Sequence, residues 1–395
     1  MIWKLVYRML KETDKKLLVQ FLYNFAWKGR GAVKKFYQRK KQGKNFPAFL
    51  MISLTNQCNL HCKGCWITPS QKPVYLPLGI LCKIIETARQ NGSYFFGLLG
   101  GEPLLHPELF SIIQRYPDCY FQVFTNGTLL DDRIAREMRR LGNVTPLISI
   151  EGREKESDER RGGREVYRKS MEGILHCKKN KLITGVACSV CKSNFQDMVS
   201  EDCLKDMISA GVHYIWYYIY RPVGENPCPE IALSQEQILH LRKFMVEMRT
   251  RFPLIIVDAY WDDKGNALCP AATGISHHIN PYGDVEFCPP LLFSKDNIGD
   301  GSSLEDILEQ SEFLKKLRHF CTQKTRGCVI LECPDHLQKF LSEEKARDTS
   351  GRPNPGQFSQ SFACSHHIPG QEIPEKHWAY RLAKKYYFFG FGAYG

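Results

Sequence analysis

The amino-acid sequence predicts an α/β fold, in which N-terminal helices precede a partial (β/α)6 barrel and a small C-terminal domain follows it. From Phe49 onward, short apolar runs alternate with amphipathic segments, the pattern of repeated βα units. We identify six such units in residues 49–224, two short of the eight that close a TIM barrel. Glycine-rich or charged segments follow the strands, so we expect the functional site at the strands' carboxyl ends.

The N-terminal segment, residues 1–45, is predicted to be helical and strongly basic. Leu17, Leu18, Phe21, Leu22 and Phe25 recur with the period of one helix face. The segment holds thirteen Lys or Arg and two acidic residues, which accounts for +11 of the chain's net charge of +12. The remainder is therefore near neutral, which disfavours a nucleic-acid binder. Two interpretations stay open: a helix pair on a membrane surface, or helices packed on the barrel.

The six βα units can be placed along the chain. We predict strands at about 49–55, 94–99, 119–124, 146–150, 183–190 and 214–220, with helices at about 77–90, 107–115, 131–141, 166–179 and 195–210. Residues 157–163 are predicted to form a charged loop. Strand six, 214–220, is unusually aromatic, and its alternate rings should face the inside and the outside of the barrel.

Three cysteines crowd the loop directly after strand one. Cys58, Cys62 and Cys65 have the spacing Cys-x3-Cys-x2-Cys, with no fourth cysteine close by. Zinc sites usually pair two Cys-x2-Cys units instead. A [4Fe–4S] cube held by three thiolates would keep one iron free to bind a small molecule. A chance cluster or a structural metal knuckle is the alternative for this loop taken alone.

Two further motifs lie at the ends of later strands and bear on the role of the cysteine loop. Gly100-Gly101-Glu102-Pro103 ends strand two, and Ser149-Ile150-Glu151-Gly152 ends strand four. With the cysteine loop, these segments resemble the radical S-adenosylmethionine (SAM) superfamily, with Glu151 where the family commonly has Asp. The resemblance covers roughly residues 48–224.

The resemblance implies a [4Fe–4S] cluster on Cys58, Cys62 and Cys65 whose open iron chelates SAM. Reductive cleavage of SAM would give a 5′-deoxyadenosyl radical, with the electron supplied by an external reductant such as flavodoxin or ferredoxin. The resemblance also implies SAM-binding roles for Gly100, Gly101, Glu102 and Pro103 at its ammonium group, Ser149 at its ribose and Arg161 at its carboxylate.

A second cysteine set follows the barrel. Cys269, Gly283 and Cys288 have a spacing similar to the opening of SPASM and Twitch extensions, which carry auxiliary iron–sulfur clusters. We expect one auxiliary [4Fe–4S] cluster, with Cys328 and Cys333 as the preferred partners of Cys269 and Cys288. Two alternatives are Cys321 or Cys364 as ligands, and a degenerate extension without a cluster.

These observations predict four regions: basic helices at 1–45, a radical SAM barrel at 46–225, a linker helix with a Twitch-like cluster region at 226–345, and a tail with an aromatic end at 346–395. Sixteen scattered cysteines and no visible secretory signal indicate a cytoplasmic protein, with the inner face of a membrane as an alternative site. The aromatic and cationic end of the tail suits either a bilayer interface or docking on the barrel.

We therefore expect a radical SAM enzyme that abstracts hydrogen from a substrate, with a lipid or membrane-associated molecule preferred. A SPASM/Twitch-type peptide maturase is the first alternative, and an iron–sulfur electron-transfer or sensor protein is the second. The sequence identifies no catalytic side chain beyond the cofactor ligands, and it leaves the substrate, the fate of SAM and the oligomeric state open.

Overall fold

A computed structural model describes residues 2–67, 72–352, 364–366 and 368–387. In this part of the chain, nine strands form one sheet, in which β1 to β6 follow one another in parallel. β7 extends the β6 edge, and β8 and β9 extend the β1 edge. The strands of this sheet are β1 (Phe49–Ser53), β2 (Phe95–Leu99), β3 (Tyr120–Thr125), β4 (Val144–Ser149), β5 (Gly185–Val190), β6 (Tyr214–Ile219), β7 (Ile255–Val257), β8 (Ser276–Ile279) and β9 (Val285–Glu286). A separate antiparallel pair consists of β10 (Phe293–Ser294) and β11 (Arg347–Asp348).

Helices precede, connect and follow these strands. They are α1 (Ile2–Glu12), α2 (Lys15–Leu22), a π-helix (Tyr23–Gly29), α3 (Arg30–Lys41), α4 (Leu78–Gln90), α5 (Leu109–Arg115), α6 (Asp132–Leu141), α7 (Glu154–Arg161), α8 (Val166–Lys179), α9 (Phe195–Met198), α10 (Glu201–Ala210), α11 (Gln235–Arg251), α12 (Pro270–Thr273), α13 (Leu304–Gln310), α14 (Glu312–Lys324), α15 (Val329–Glu332), α16 (Pro334–Glu343) and α17 (Trp378–Tyr386). Among the described residues, no helix is long and apolar enough to cross a membrane.

The predicted α/β fold with a parallel barrel sheet is confirmed, and each of the six predicted strands overlaps an observed one. The predicted charged loop at 157–163 is wrong over most of its length, because Ser157 to Arg161 lie in α7. The helix predicted at 195–210 is divided into α9 and α10, and the hydroxyl of Ser200 caps α10. The segment 226–345 contributes β7, β8 and β9 to the same sheet as the barrel strands.

The N-terminal helices cover the amino end of the barrel. Arg8 donates to the carbonyls of Val212 and Pro253, which precede β6 and β7. The Asp14 N–H donates to the carbonyl of Lys181, just before β5. Phe25 packs edge-on against Phe95 and Tyr120 at the starts of β2 and β3. The apolar face of these helices therefore closes the end of the barrel opposite the carboxyl ends of the strands.

A buried ion network ties the C-terminal segment to the β7 edge. Asp258 and Glu375 lie among Arg242, Arg249 and Lys384, and all five side chains are almost fully buried. The Tyr380 hydroxyl accepts from the N–H of Ile256, and Arg249 donates to the carbonyl of the same residue. These side chains satisfy the N–H and the carbonyl of Ile256 in the edge strand β7. Helices α11 and α17 therefore cover this edge of the sheet. The last part of the predicted aromatic tail, residues 388–395, lies outside the described residues.

Candidate active site

The three loop cysteines line a large cavity at the carboxyl ends of the strands. Cys58, Cys62 and Cys65 follow β1 and face a cavity of about 570 Å³ that extends into the barrel. Gly100, Gly101, Ser149 and Arg161 also line it. The structure thus brings most of the predicted site residues to one cavity, although they come from segments at the ends of three different strands, β1, β2 and β4.

Glycines hold the cysteine loop through close backbone contacts. A Cβ atom at Gly101 would overlap the carbonyl of Gln57, and one at Gly162 would overlap the carbonyl of His61. In the same way, a Cβ at Gly224 would overlap the carbonyl of Cys65. These three glycines belong to the loops that end β2, α7 and β6. Any other residue at these positions would push a neighbouring loop away from the cysteines.

Hydrogen bonds accompany this close packing. The N–H groups of Gly101 and Glu102 donate to the carbonyls of Thr55 and Gln57 at 2.8 Å each. The Lys63 N–H donates to the carbonyl of Arg160 at 2.7 Å. The cysteine loop is therefore fixed by main-chain contacts from two sides, which positions its thiols.

Glu102 and Pro103 do not line the cavity, unlike the two glycines before them. The fully buried Glu102 carboxylate accepts from the Thr125 hydroxyl at 2.7 Å and from the N–H groups of Asn126 and Leu104 at 2.7 and 3.1 Å. Burial raises the pKa of Glu102, and these hydrogen bonds oppose that shift. The carboxylate therefore fixes the end of β3, which places Asn126 on the cavity wall with its amide 4.0 Å from the Cys58 sulfur.

A carboxylate–arginine cluster lies beside the cysteine loop. Glu151 pairs with Arg161 at 2.8 Å and with Arg160 at 3.4 Å, and all three side chains are almost fully buried. Nη1 of Arg161 is 3.8 Å from the sulfur of Cys62. Its Nε is buried without a hydrogen-bond partner, so it retains one N–H that a bound carboxylate can use.

The three loop cysteines are partly buried. Burial raises the pKa of Cys58 to about 11 and that of Cys65 to about 12. Across the described residues, no three His, Cys, Asp or Glu side chains converge on a point where one metal ion would bind. A [4Fe–4S] cluster does not need three side chains around a single metal ion, because each thiolate binds a different iron. Three cysteines around one cavity therefore fit a cube held by three protein ligands.

The second cysteine set faces the same cavity. Cys269, Cys288 and Cys328 line its wall, and β8 and β9 form the antiparallel hairpin expected between Cys269 and Cys288. Burial raises the pKa of Cys269 to about 12, and the neighbouring Cys328 adds to this shift. Both cysteine sets thus open onto a single chamber.

Cys321 also lies near the second cysteine set. It is fully buried, and its pKa is raised first by burial and then by the nearby Cys269, Cys288, Cys328 and Cys333. Neither Cys321 nor Cys333 lines the cavity, and the Cys333 sulfur contacts the carbonyl of Lys324 at 3.6 Å. Spacing in the sequence could not show this proximity, because it arises from the packing of α14 against α12, the helix that follows Cys269.

Other cavity residues were not predicted as site residues. Arg221 and Tyr220 follow β6, and Tyr260 follows β7. Inside the barrel, Trp216 and Tyr218 face the cavity while Tyr217 packs outward, its hydroxyl bound to the Met198 carbonyl. The only sequence signal for Arg221 is its position at a strand's carboxyl end.

Comparison with known proteins agrees with this geometry. Residues 52–199 match the radical SAM superfamily, so the chain contains a radical SAM domain. That family binds a [4Fe–4S] cluster and SAM. Our expectation of a radical SAM domain is thereby confirmed, and the match ends before the second cysteine set.

Individual relatives match only part of the chain at low identity. An AdoMet-dependent heme synthase of Methanosarcina barkeri is 26% identical over 50% of this chain and 58% of its own length. A PqqA peptide cyclase of Streptomyces rochei is 24% identical over 62% and 69% of the two chains. The crystal structure of Streptococcus suis SuiB bound to precursor peptide SuiA superposes with a TM-score of 0.62 at 16% identity, covering 75% of each chain. The chain therefore spans little more than half of the heme synthase's length.

The close contact at Gly101 gives a testable expectation. Gly101→Ala should displace the cysteine loop and reduce the iron bound there after anaerobic reconstitution, because the new methyl group overlaps the Gln57 carbonyl. Gly79→Ala in α4 is the matched control, since its Cβ would meet nothing within 4 Å. Iron content equal to wild type in both variants would contradict the proposed role of the glycine contacts.

Proposed function

We propose that this protein uses SAM bound at the Cys58, Cys62 and Cys65 cluster to abstract a hydrogen atom from a substrate in the barrel cavity. The observation that carries the proposal is the meeting of these three cysteines, the Gly100-Gly101 backbone and the Arg161 guanidinium at one cavity. The bound cluster and SAM would supply a 5′-deoxyadenosyl radical. The chain's own residues hold these groups and exclude water.

Each residue has a role that follows from its contacts. The Gly100-Gly101 backbone can approach SAM closely because no side chain intervenes, and its carbonyls can accept from the SAM ammonium. Arg161 offers its free Nε–H to the carboxylate, and Ser149 can reach the ribose from the end of β4. Glu102 acts through Thr125 and Asn126 as a positioning residue.

We propose a second [4Fe–4S] cluster on Cys269, Cys288, Cys321 and Cys328. Cys321 is fully buried near the other three cysteines, whereas Cys333 is less buried and contacts the Lys324 carbonyl, so we prefer Cys321 as the fourth ligand. A cluster here would face the same chamber as SAM and could exchange an electron with a bound substrate.

The inner part of the cavity favours an apolar group of the substrate. Met51, Phe124, Trp216 and Tyr218 line it below the cysteine loop. An apolar peptide side chain can enter such a chamber while the peptide backbone stays at the mouth. We therefore prefer a peptide substrate, a preference that the peptide cyclase relative and the peptide-bound SuiB structure support.

The position of the basic helices does not support the lipid substrate that we preferred from the sequence. That preference required the basic helices to bring the mouth of the barrel to a membrane, but they cover the opposite end. Strands of five or six residues separate the two ends by roughly 17–20 Å. A lipid that stays in the bilayer beneath the helices would not reach the cysteine loop.

The radical SAM function predicts a clear loss of activity. Replacing Cys58, Cys62 and Cys65 together with Ala should abolish formation of 5′-deoxyadenosine from SAM under dithionite, because no ligand for the catalytic cluster would remain. Cys82→Ala is the control, since this thiol lies in α4 away from the cavity. Undiminished 5′-deoxyadenosine in the triple variant, measured by liquid chromatography, would refute the proposed function.

We also propose that the covered end of the barrel attaches to an anionic membrane surface. Among the described residues, twelve of the fourteen exposed large apolar side chains lie on the N-terminal helices or on α17. Trp3 and Trp27 are 82% and 76% exposed, and Lys4, Arg30 and Lys34 are exposed on the same segment. Aromatic rings among cations suit the interface of a bilayer with anionic head groups.

Attachment should depend on both the aromatic rings and the salt concentration. A Trp3→Ala/Trp27→Ala variant should sediment less than wild type with anionic liposomes, and 1 M salt should release wild type because the Debye length falls to about 3 Å. Leu175→Ala is the matched control, an exposed apolar residue on α8. If wild type and the double variant both stay in the supernatant at low salt, the membrane proposal is wrong.

A further inference from the structure

One loop touches both cysteine sets. Residues 221–224 follow β6, and Arg221 and Val223 line the cavity. At one end of this loop, Gly224 packs against the carbonyl of Cys65. At the other end, Nε of Arg221 donates to the sulfur of Cys328 at 3.1 Å. Arg221 is thus a cation in contact with a proposed ligand of the auxiliary cluster and only three residues from the support of the catalytic loop.

The guanidinium of Arg221 is held in a fixed orientation. Its Nη2 donates to the hydroxyl of Tyr260 at 3.0 Å, and its carbon lies 5.2 Å from the centre of the Tyr260 ring. The same hydroxyl accepts from the N–H of Ile219 at 3.1 Å, which anchors it to the end of β6. Arg221 therefore spans a fixed gap between the Tyr260 hydroxyl and the Cys328 sulfur, a geometry that Lys could not reproduce.

We propose that Arg221 is a positioning residue that raises the reduction potential of the auxiliary cluster through its hydrogen bond and charge at Cys328. This inference rests on the auxiliary cluster of the proposed function. A [4Fe–4S]²⁺ core with four thiolate ligands carries a net charge of about −2, and gaining one electron makes it about −3. A fixed cation and an N–H donor at one sulfur stabilise the more negative state, so they favour reduction.

This role matches the position of the cluster. An auxiliary cluster that takes an electron from a substrate radical must be reduced in that step, and Arg221 would make this reduction easier. A cluster bound here could accept the electron that the substrate radical gives up as it loses a proton to water, and an external one-electron acceptor such as an oxidised flavodoxin or ferredoxin would then take that electron. Arg221 stays protonated throughout, so no proton is exchanged at this residue.

The test measures the auxiliary cluster by itself. The full chain with Cys58, Cys62 and Cys65 replaced by Ala retains the auxiliary cluster alone, and its midpoint potential can be followed by electron paramagnetic resonance during titration with dithionite. In this background, Arg221→Met removes the charge and the hydrogen bond, so the potential should become more negative. Arg221→Lys keeps the charge and should give a smaller shift. Tyr260→Phe keeps the charge of Arg221 but removes the hydroxyl that orients it, so it should give a smaller shift in the same direction than Arg221→Met.

The outcomes separate this inference from the proposed function. A parent protein that folds but binds no iron after reconstitution would refute the auxiliary cluster, and the role of Arg221 with it. A full complement of about four irons with the same potential in Arg221→Met and the parent would refute the role of Arg221 alone. If Arg221→Met fails to fold, Arg221→Lys decides, because a potential equal to that of the parent in Arg221→Lys would contradict the role of the hydrogen bond from Arg221 to Cys328.

Discussion

The arrangement of the site depends on backbone-to-backbone contact between the cysteine loop and the loops around it. Gly101, Gly162 and Gly224 allow three separate loops to approach the main chain of residues 57–65 at distances that no side chain would permit. Each of these loops also brings a cavity residue or its immediate neighbour: Gly100 beside Gly101, Arg161 beside Gly162, and Arg221 in the loop of Gly224. The contact that holds the thiols in place therefore also fixes the groups proposed to bind SAM and to face the auxiliary site.

The two ends of the barrel differ in their surfaces and in their proposed functions. At the carboxyl end, both cysteine sets share one chamber, and the buried Glu151 and Arg161 pair stands beside Cys62. At the amino end, helices α1 to α3 close the barrel with one face and expose aromatic and basic side chains on the other. A protein attached through its amino end would present its chamber away from the membrane, which is consistent with a peptide substrate.

Local patterns were enough to predict the barrel and the catalytic cysteines. Strand periodicity located all six barrel strands, and the spacing of Cys58, Cys62 and Cys65 indicated a cube with an open iron. The orientation of Glu102 could not be predicted, because it depends on Thr125 and Asn126 at the end of another strand. Cys321 was not preferred for a similar reason: α14 folds back, and sequence distance does not report that proximity. The end of the barrel covered by the basic helices depends on long-range contacts such as that of Arg8 with Pro253.

The central claim is that two iron–sulfur clusters share one cavity, and metal analysis of cysteine variants tests it most directly. Anaerobically reconstituted wild type should bind about eight irons per chain, as expected for two [4Fe–4S] clusters. Cys321→Ala should lose the auxiliary share of this iron, whereas Cys333→Ala should keep all of it, because Cys321 is buried near Cys269, Cys288 and Cys328 while the Cys333 sulfur contacts the Lys324 carbonyl. A wild type that binds about four irons, all of them lost on replacing Cys58, Cys62 and Cys65, would contradict the two-cluster account.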